Sequence, residues 1–391
     1  MASRGRRIGE IRRTRKVKAS RGGRVVGSAI TAGAFLALGL TPLATAPPAH
    51  ADVEDIFQPV IDAIAQAINV MDPSLASSLD PGLDAGSAAA ALPAAVENAT
   101  VPLTLGTNDA APLIDVSVGG GPSIPVEVDT GSNGLILPWN DVGLQNLLNL
   151  GSTPLTFGHV GYGPDSADPN IIVWYVQDPN TTVDFGNGIV TSPTTVDLAL
   201  FAYPTSPSNY FNLDYYSLQG YDSGNNADGT MGIAAQPNIE PDTGSVITAL
   251  PGDLGEGALI NETAGYLEFG PNPLTALTSI EGVPQGALEV SVGGGGAVPV
   301  TAEMDSGGIY GTIPTSILVG GPPVGQPEPP GTQIEVYTSD GLPLYSYTVV
   351  GNTGPTISAD TDVMNTGTRF FLAYPIYISY DPIDEGTVFI D

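Results

Sequence analysis

Cysteine is absent from the 391-residue sequence, and basic side chains are nearly absent after residue 24. Without cysteine the chain forms no disulfide and offers no thiolate for catalysis or zinc binding. Ten of the eleven Lys and Arg residues lie within residues 4–24, so Arg369 is the one basic side chain of the remainder. The lack of lysine there excludes Schiff-base chemistry and a phosphate-binding P-loop.

Histidine is equally scarce, since His159 is the single histidine after residue 51. A His-rich zinc site therefore cannot be built, and a Ser-His-Asp triad would depend on that one residue. Its setting, Thr-Phe-Gly-His-Val at 156–160, favours a strand or loop residue over a catalytic one. The hydrolytic chemistry that remains is that of carboxylates, and we expect neither a metal nor another cofactor.

The basic residues belong to an N-terminal leader. An apolar stretch at 25–40 follows them, and Ala-His-Ala at 49–51 ends the segment, which is the pattern of a signal peptide over residues 1–51. The alternative is an uncleaved anchor, but the stretch is short for a bilayer span. We therefore expect a secreted or cell-envelope-associated protein with no stable membrane insertion after cleavage.

The rest of the chain is strongly acidic. Residues 52–391 carry 40 of the 41 acidic groups and one basic group, a formal charge of −39. Such a surface repels nucleic acid and anionic membranes, so neither is an expected partner. Self-repulsion weakens as carboxylates are protonated, which makes the composition better suited to an acidic medium.

The organisation after the leader is that of a short helical segment and two β lobes. Residues 52–71 carry apolar side chains at helical spacing, and an Ala/Pro/Gly-rich linker completes residues 52–100. From residue 101, short apolar runs alternate with Gly, Pro, Asn and Asp clusters, which predicts an all-β fold. We place an N-terminal lobe at 101–245 and a C-terminal lobe at 246–391.

An internal duplication supports the two lobes. Val-Ser-Val-Gly-Gly-Gly at 116–121 recurs at 290–295, and Asp-Thr-Gly at 129–131 is matched by Asp-Ser-Gly at 305–307. The order of hydrophobic strand, turn, strand and Asp-[Thr/Ser]-Gly is kept in both copies. The second copy has two additional residues before its Asp.

These motifs resemble those of the pepsin-like aspartic proteases, in which each of two β lobes contributes one Asp-[Thr/Ser]-Gly loop to a site between them. The resemblance covers residues 101–391 and implies a monomeric endopeptidase that acts on a protein or peptide substrate. Two adjoining carboxyl groups cannot both ionise easily, so they share a proton; one then activates a water while the other polarises the scissile carbonyl. The catalytic pair would be Asp129 and Asp305.

The resemblance also implies roles for the residues around this pair. Supporting positions are Thr130, Gly131, Ser132, Ser306 and Gly307. Tyr162, which follows Asp129 by 33 residues, is the candidate tyrosine of a mobile β-hairpin that covers the substrate, with Tyr175 as the alternative. Asp228-Gly-Thr-Met-Gly-Ile233 resembles the strand that crosses behind the first catalytic loop.

Several positions depart from the family pattern. Gly308 stands where a hydroxyl residue usually follows the second motif, which predicts that Asp305 lacks one hydrogen-bond donor. Ala373 stands where a glycine is usual in the second lobe. Two further Asp-[Thr/Ser]-Gly tripeptides, which begin at Asp222 and Asp242, lack the preceding apolar strand and are interpreted as turns.

Within the family, residues 181–191 and 305–314 resemble the mycobacterial branch in which the protease is attached to a PE domain and processes PE-type surface proteins. Here a leader, one helix and a linker take the place of the PE domain. Two other functions stay open: a protease-like binding or surface module without turnover, and a glycoside hydrolase that uses the same two carboxylates.

The helix predicted at 52–71 contains no basic residue, so it lacks the groups with which a pepsinogen-like pro-segment covers catalytic carboxylates. Deletion of residues 52–98 is therefore expected to leave peptidase activity unchanged, with no pH-triggered activation step. Progress curves of the full and truncated forms at acidic pH test this. A lag that disappears on acid-dependent N-terminal trimming would contradict it.

Overall fold

In a computed structural model, the described residues are 17–18, 98–107, 111–143, 146–147, 150, 155–163, 169–235, 241, 243–318, 320–359 and 363–391. Except for residues 17–18 and 98–100, the predicted leader, helix and linker lie outside this set, as does Asp242. None of the described helices is long and apolar enough to cross a membrane.

Strands dominate the described part of the chain. They are β1 (Val17–Lys18), β2 (Ala99–Pro102), β3 (Thr104–Leu105), β4 (Pro112–Val118), β5 (Ser123–Asp129), β6 (Asn133–Pro138), β7 (Thr156–Tyr162), β8 (Ile171–Thr181), β9 (Val183–Asp184), β10 (Thr194–Pro204), β11 (Gly229–Ile233), β12 (Gly257–Asn261), β13 (Tyr266–Phe269), β14 (Thr278–Glu281), β15 (Gln285–Val292), β16 (Val298–Glu303), β17 (Thr312–Pro314), β18 (Gln333–Thr338), β19 (Pro343–Thr348), β20 (Thr356–Ser358), β21 (Val363–Asn365), β22 (Ile376–Ser379) and β23 (Thr387–Ile390).

In the described part of the chain, helical structure is limited to short segments. Residues 146–147 and 150 are α-helical, and two further α-helices are α1 (Leu218–Asp222) and α2 (Arg369–Ala373). The 3-10 turns are Trp139–Asp141, Pro207–Asn209, Leu213–Tyr216, Ser223–Asn225, Val246–Ala249, Gly252–Glu256 and Thr315–Ile317. The prediction of an all-β fold is confirmed.

The strands form three sheets. The first has the order β1-β7-β8-β10-β6-β11-β5-β4-β3, with β9 paired to β4. The second, β14-β23-β22-β12-β13-β2, joins strands from both predicted lobes, and the third is β19-β18-β15-β16-β21-β17-β20. One hydrophobic core runs through all three sheets. The boundary between the lobes at residue 245 stays a prediction.

The sequence duplication appears as two equivalent hairpins. Val116 pairs with Ile124 across β4 and β5, and Val290 pairs with Val298 across β15 and β16. Each hairpin turns on two glycines with positive φ, at 119–120 and at 293–294, where a side chain would be strained. The repeated Gly-Gly-Gly segments are therefore turn sequences, and each hairpin leads its second strand to an Asp-[Thr/Ser]-Gly loop.

A strand crosses behind each of these loops. β11 lies between β5, to which it is parallel, and β6, and it brings Gly232 into register with Asp129, as expected for residues 228–233. In the second copy β21 lies between β16 and β17 and brings Asn365 into register with Glu303. Ala373 ends helix α2, which follows this crossing strand, Val363–Asn365.

A buried carboxyl group makes the fold sensitive to pH. Glu262, in the turn between β12 and β13, is 5% exposed, and neither carboxyl oxygen has a hydrogen-bond partner. Burial raises its pKa to about 8. Glu262 thus stays protonated in the folded protein at pH values where the unfolded chain has already released this proton. The free energy of unfolding therefore falls as pH rises from the ordinary pKa of glutamate toward 8.

The Glu262→Gln variant is expected to match the wild type at pH 4 and to be more stable at pH 8 by at least about 2 kcal/mol, because the amide needs no proton. Urea unfolding at both pH values measures this. Glu281→Gln, at an exposed position of β14, serves as the control. Equal pH dependence in the wild type and both variants would contradict the assignment.

Candidate active site

The two predicted aspartates come together from different sheets. Asp129 is the last residue of β5 in the first sheet, and Asp305 follows β16 in the third by two residues. The side chains beneath the loops, including Val128 and Met304, are buried and seat both loops on the core. The candidate site is therefore built where the ends of two equivalent strands meet.

Reciprocal hydrogen bonds join the two loops. The Thr130 amide donates to Ser306 Oγ at 3.1 Å, and the Ser306 amide donates to Thr130 Oγ1 at 2.9 Å. Each hydroxyl then donates across the junction, Thr130 to the Met304 carbonyl and Ser306 to the Val128 carbonyl, both at 2.6 Å. Thr130 and Ser306 are almost completely buried, so these four bonds fix the separation of the loops.

The glycines allow the carboxyl groups to approach. The Gly131 amide donates to Asp129 Oδ1 and the Gly307 amide to Asp305 Oδ1, each at 2.8 Å. A Cβ atom on Gly131 would lie 2.8 Å from Asp305 Cγ, and one on Gly307 would lie 2.9 Å from Asp129 Oδ1. Any side chain at either position would collide with the opposite aspartate. The two carboxyl groups therefore lie close together, and the proximity of Asp129 contributes to the raised pKa of Asp305.

The Oδ2 atoms of the two aspartates accept hydrogen bonds from different kinds of side chain. Ser132 Oγ donates to Asp129 Oδ2 at 2.5 Å, as expected. On the other side, Asn365 Nδ2 donates to Asp305 Oδ2 at 2.5 Å. The expectation that Gly308 leaves Asp305 without this donor is therefore wrong: β21 supplies an amide in place of the missing hydroxyl.

Charge and burial determine the protonation of the pair. Burial, and then the charges of Asp129 and Glu303, raise the pKa of Asp305 well above its usual range. The hydrogen bond from Asn365 opposes this shift, because it favours the ionised form. On balance these effects favour the protonated form of Asp305.

Two further acidic residues surround the pair. Glu127 is 7% exposed and lies against the second loop, since a Cβ atom on Gly307 would be 2.6 Å from its Oε1. Burial and the neighbouring Asp222 raise the pKa of Glu127 well above its ordinary value. Asp222, buried at the end of α1, has its pKa raised to about 8 by burial and by Asp129.

The sequence analysis missed both of these residues. A signal for Glu127 was present, because a glutamate stands two positions before the aspartate in each copy, at 127 and 303. Asp222 was interpreted only as part of a turn. The 3-10 turn does follow it at Ser223–Asn225, but the side chain of Asp222 points into the protein.

Tyr162 lies at the end of β7, where the β7–β8 hairpin turns. Its hydroxyl is buried, and burial together with Asp222 and Asp129 raises its pKa well above the usual value. Tyr175, the alternative, is a buried core residue of β8 opposite Gly158. Of the two tyrosines, the structure brings Tyr162 within the electrostatic reach of Asp129.

His159 lies in strand β7, in agreement with its expected place in a strand or loop. Its ring lies against the ring of Trp174, with the ring centroids 5.0 Å apart. Among the described residues, no group of three or more His, Cys, Asp or Glu side chains has the geometry of a metal site.

Comparison with known proteins gives consistent matches. Residues 99–388 match the family model described as the PE-PGRS C-terminal aspartyl peptidase-like domain. The chain is 38% identical over 304 residues to PE cleavage protein A of Mycobacterium tuberculosis, which covers 75% of this chain and 51% of the relative. PE cleavage protein A of Mycobacterium marinum is 38% identical over 302 residues, or 75% and 52% of the two chains. The chain thus spans about half the length of these relatives.

The reciprocal bonds between the loops predict a cost when one hydroxyl is removed. Ser306→Ala leaves the Val128 carbonyl and the Thr130 amide unpaired in a buried position, so we expect a loss of about 1–3 kcal/mol in the free energy of unfolding. Urea unfolding measures this loss of stability, and Ser279→Ala, at an exposed position of β14, is the control. Equal stability of the two variants would contradict this account of the junction.

Proposed function

Because the chain belongs to the PE-PGRS C-terminal aspartyl peptidase-like domain family, we propose that it is an aspartic endopeptidase whose catalytic pair is Asp129 and Asp305. The observation that carries the proposal is the reciprocal contact of the two loops. Each glycine lies against the opposite aspartate, so the two carboxyl groups are close enough for Asp129 to raise the pKa of Asp305. This is the arrangement that two carboxyls need to hold one proton between them.

The reaction follows from this protonation state. A water molecule bound by both carboxyl groups gives a proton to ionised Asp129 as it attacks the scissile carbonyl carbon. The proton on Asp305 polarises the carbonyl oxygen and stabilises the tetrahedral intermediate. Asp129 then returns the proton to the leaving amine, so that the C–N bond breaks and the pair regains its starting state.

The family match to an aspartyl peptidase-like domain argues against the glycoside hydrolase alternative. The sequence also contains only two Trp residues, so aromatic side chains for sugar stacking are few. The binding-module alternative loses its main support, since Asn365 supplies the donor that Gly308 lacks.

The β7–β8 hairpin provides a cover for the site in this proposal. Tyr162 packs with Tyr215 and Tyr221 on a small apolar cluster next to the first loop. Movement of the hairpin would admit a peptide and then exclude water from the carboxyl pair. The supporting roles of Thr130, Gly131, Ser132, Ser306 and Gly307 follow from the contacts described above.

The relatives supply the substrate class. Their name, PE cleavage protein A, describes proteins that cleave PE proteins. We propose that this chain also cleaves PE-type proteins, after export by the leader at 1–51, in or near the cell envelope. Both aspartates come from one chain, so the proposed enzyme acts as a monomer, and its acidic surface argues against nucleic-acid partners.

Substitution of either aspartate tests the proposal. Asp129→Asn and Asp305→Asn are each expected to lower cleavage of a PE-domain protein by at least about 100-fold between pH 3 and 7, because the pair can no longer exchange its proton. Asp115→Asn, on an exposed position of β4, is the matched control and should retain activity.

Mass spectrometry of the products and thermal unfolding of each variant accompany the assay. Full cleavage by a folded Asp129→Asn or Asp305→Asn variant would overturn the proposed catalytic pair. Cleavage of an unrelated unfolded protein, with none of the PE-domain protein, would retain the peptidase and overturn the proposed substrate class.

A further inference from the structure

We propose that Asn365 is the positioning residue for Asp305 and that Gly308 is its obligatory partner, so that positions 308 and 365 form a matched pair. This inference rests on the proposed function, because it assigns a role to Asn365 through Asp305. It goes beyond that function by placing a required group on β21, 60 residues from the aspartate that it serves.

Hydrogen bonds fix the orientation of the Asn365 amide. The Gly367 backbone amide donates to Asn365 Oδ1 at 2.8 Å, so the side-chain oxygen is occupied on one side. The nitrogen therefore faces Asp305 Oδ2, to which it donates at 2.5 Å. The main-chain amide of Asn365 donates to Thr312 Oγ1 at 3.3 Å and holds the residue against β17. Asn365 is 7% exposed, so water does not compete readily for these bonds.

Gly308 provides the space for this side chain. A Cβ atom at position 308 would lie 2.3 Å from Asn365 Oδ1 and 2.8 Å from Asp305 Oδ2. The backbone of Gly308 does not have a positive φ, so conformation alone would allow another residue there. The glycine is needed because the amide of Asn365 occupies the volume that a serine side chain would fill.

The amide and the hydroxyl differ in chemistry. The hydroxyl of Ser132 can donate or accept, whereas the side-chain nitrogen of Asn365 only donates. Asp305 Oδ2 therefore accepts a hydrogen bond from Asn365, as Oδ1 accepts one from the Gly307 amide. The two halves of the pair are thus unequal, because the side-chain group that orients Asp305 can only donate, whereas Ser132 beside Asp129 can also accept.

The experiment compares Asn365→Ala, Gly308→Ser and the double variant in the full chain. The rate constant kcat/KM for a PE-domain protein is measured from pH 3 to 9, together with thermal unfolding. Asn365→Ala is expected to lower kcat/KM about 10-fold or more, because Asp305 loses the buried hydrogen bond that orients its carboxyl group. The alkaline limb of its pH profile should move to higher pH, because loss of that bond raises the pKa of Asp305, which holds the proton of the active pair.

Gly308→Ser alone should also lose activity, because its side chain collides with the Asn365 amide. The double variant should recover at least about 10-fold over the Gly308→Ser variant and regain the alkaline limb of the wild type, because the serine hydroxyl can then reach Asp305 Oδ2 as Ser132 reaches Asp129. Asn261→Ala controls for the loss of a buried amide elsewhere, since Asn261 Oδ1 accepts from the Ala264 amide. It should lower stability and leave the pH profile unchanged.

An unaltered pH profile in a folded Asn365→Ala variant would overturn the inference. So would a double variant that does not fold, or one that folds but is no more active than Gly308→Ser, because the two positions would then not compensate. Asp305→Asn separates this result from failure of the proposed function. If that variant is inactive, only the role of Asn365 is in question; if it is active, the catalytic pair itself is wrong.

Discussion

The structure of the site depends on the reciprocal hydrogen bonds between Thr130 and Ser306. Two carboxyl groups repel each other as they approach and lose hydration on burial, so they meet only when the surrounding backbone holds them. Each hydroxyl here bonds both an amide and a carbonyl of the junction. The flanking glycines then allow the aspartates to lie close together, and the β strands beneath them resist their separation.

Acidic residues are found in the interior of the protein as well as on its surface. Glu127, Asp222 and Glu262 are buried carboxyl groups with raised pKa values, and Arg369 is the one basic side chain after the leader. Such groups are accommodated most easily in their protonated form. The same condition reduces repulsion among the surface carboxylates, so the stability of the fold and the chemistry of the aspartate pair both favour acidic conditions.

The sequence predicts the all-β class, the duplicated hairpins and the first contacts of the aspartates, because strand alternation and glycine turns are local properties. Thr130, Ser132 and Ser306 lie next to the aspartates in sequence, so the motif includes them. Asn365 lies on the crossing strand β21 and Asp222 on helix α1, and both are far along the chain from the aspartate that they approach. No local sequence pattern indicates which distant amide fills the space at Gly308. The segments before residue 98 and the lobe boundary stay predictions.

Asp129 and Asp305 hold one proton as a pair in the proposed mechanism, and a carbon-13 NMR titration of their carboxyl groups between pH 2 and 9 measures this sharing. Two well-separated titration steps are expected, each seen at both residues, with a single proton bound at intermediate pH. Substitution of one aspartate by asparagine should replace the two steps with one. Two independent titrations, unaffected by substitution of the other residue, would contradict the shared proton and the mechanism built on it.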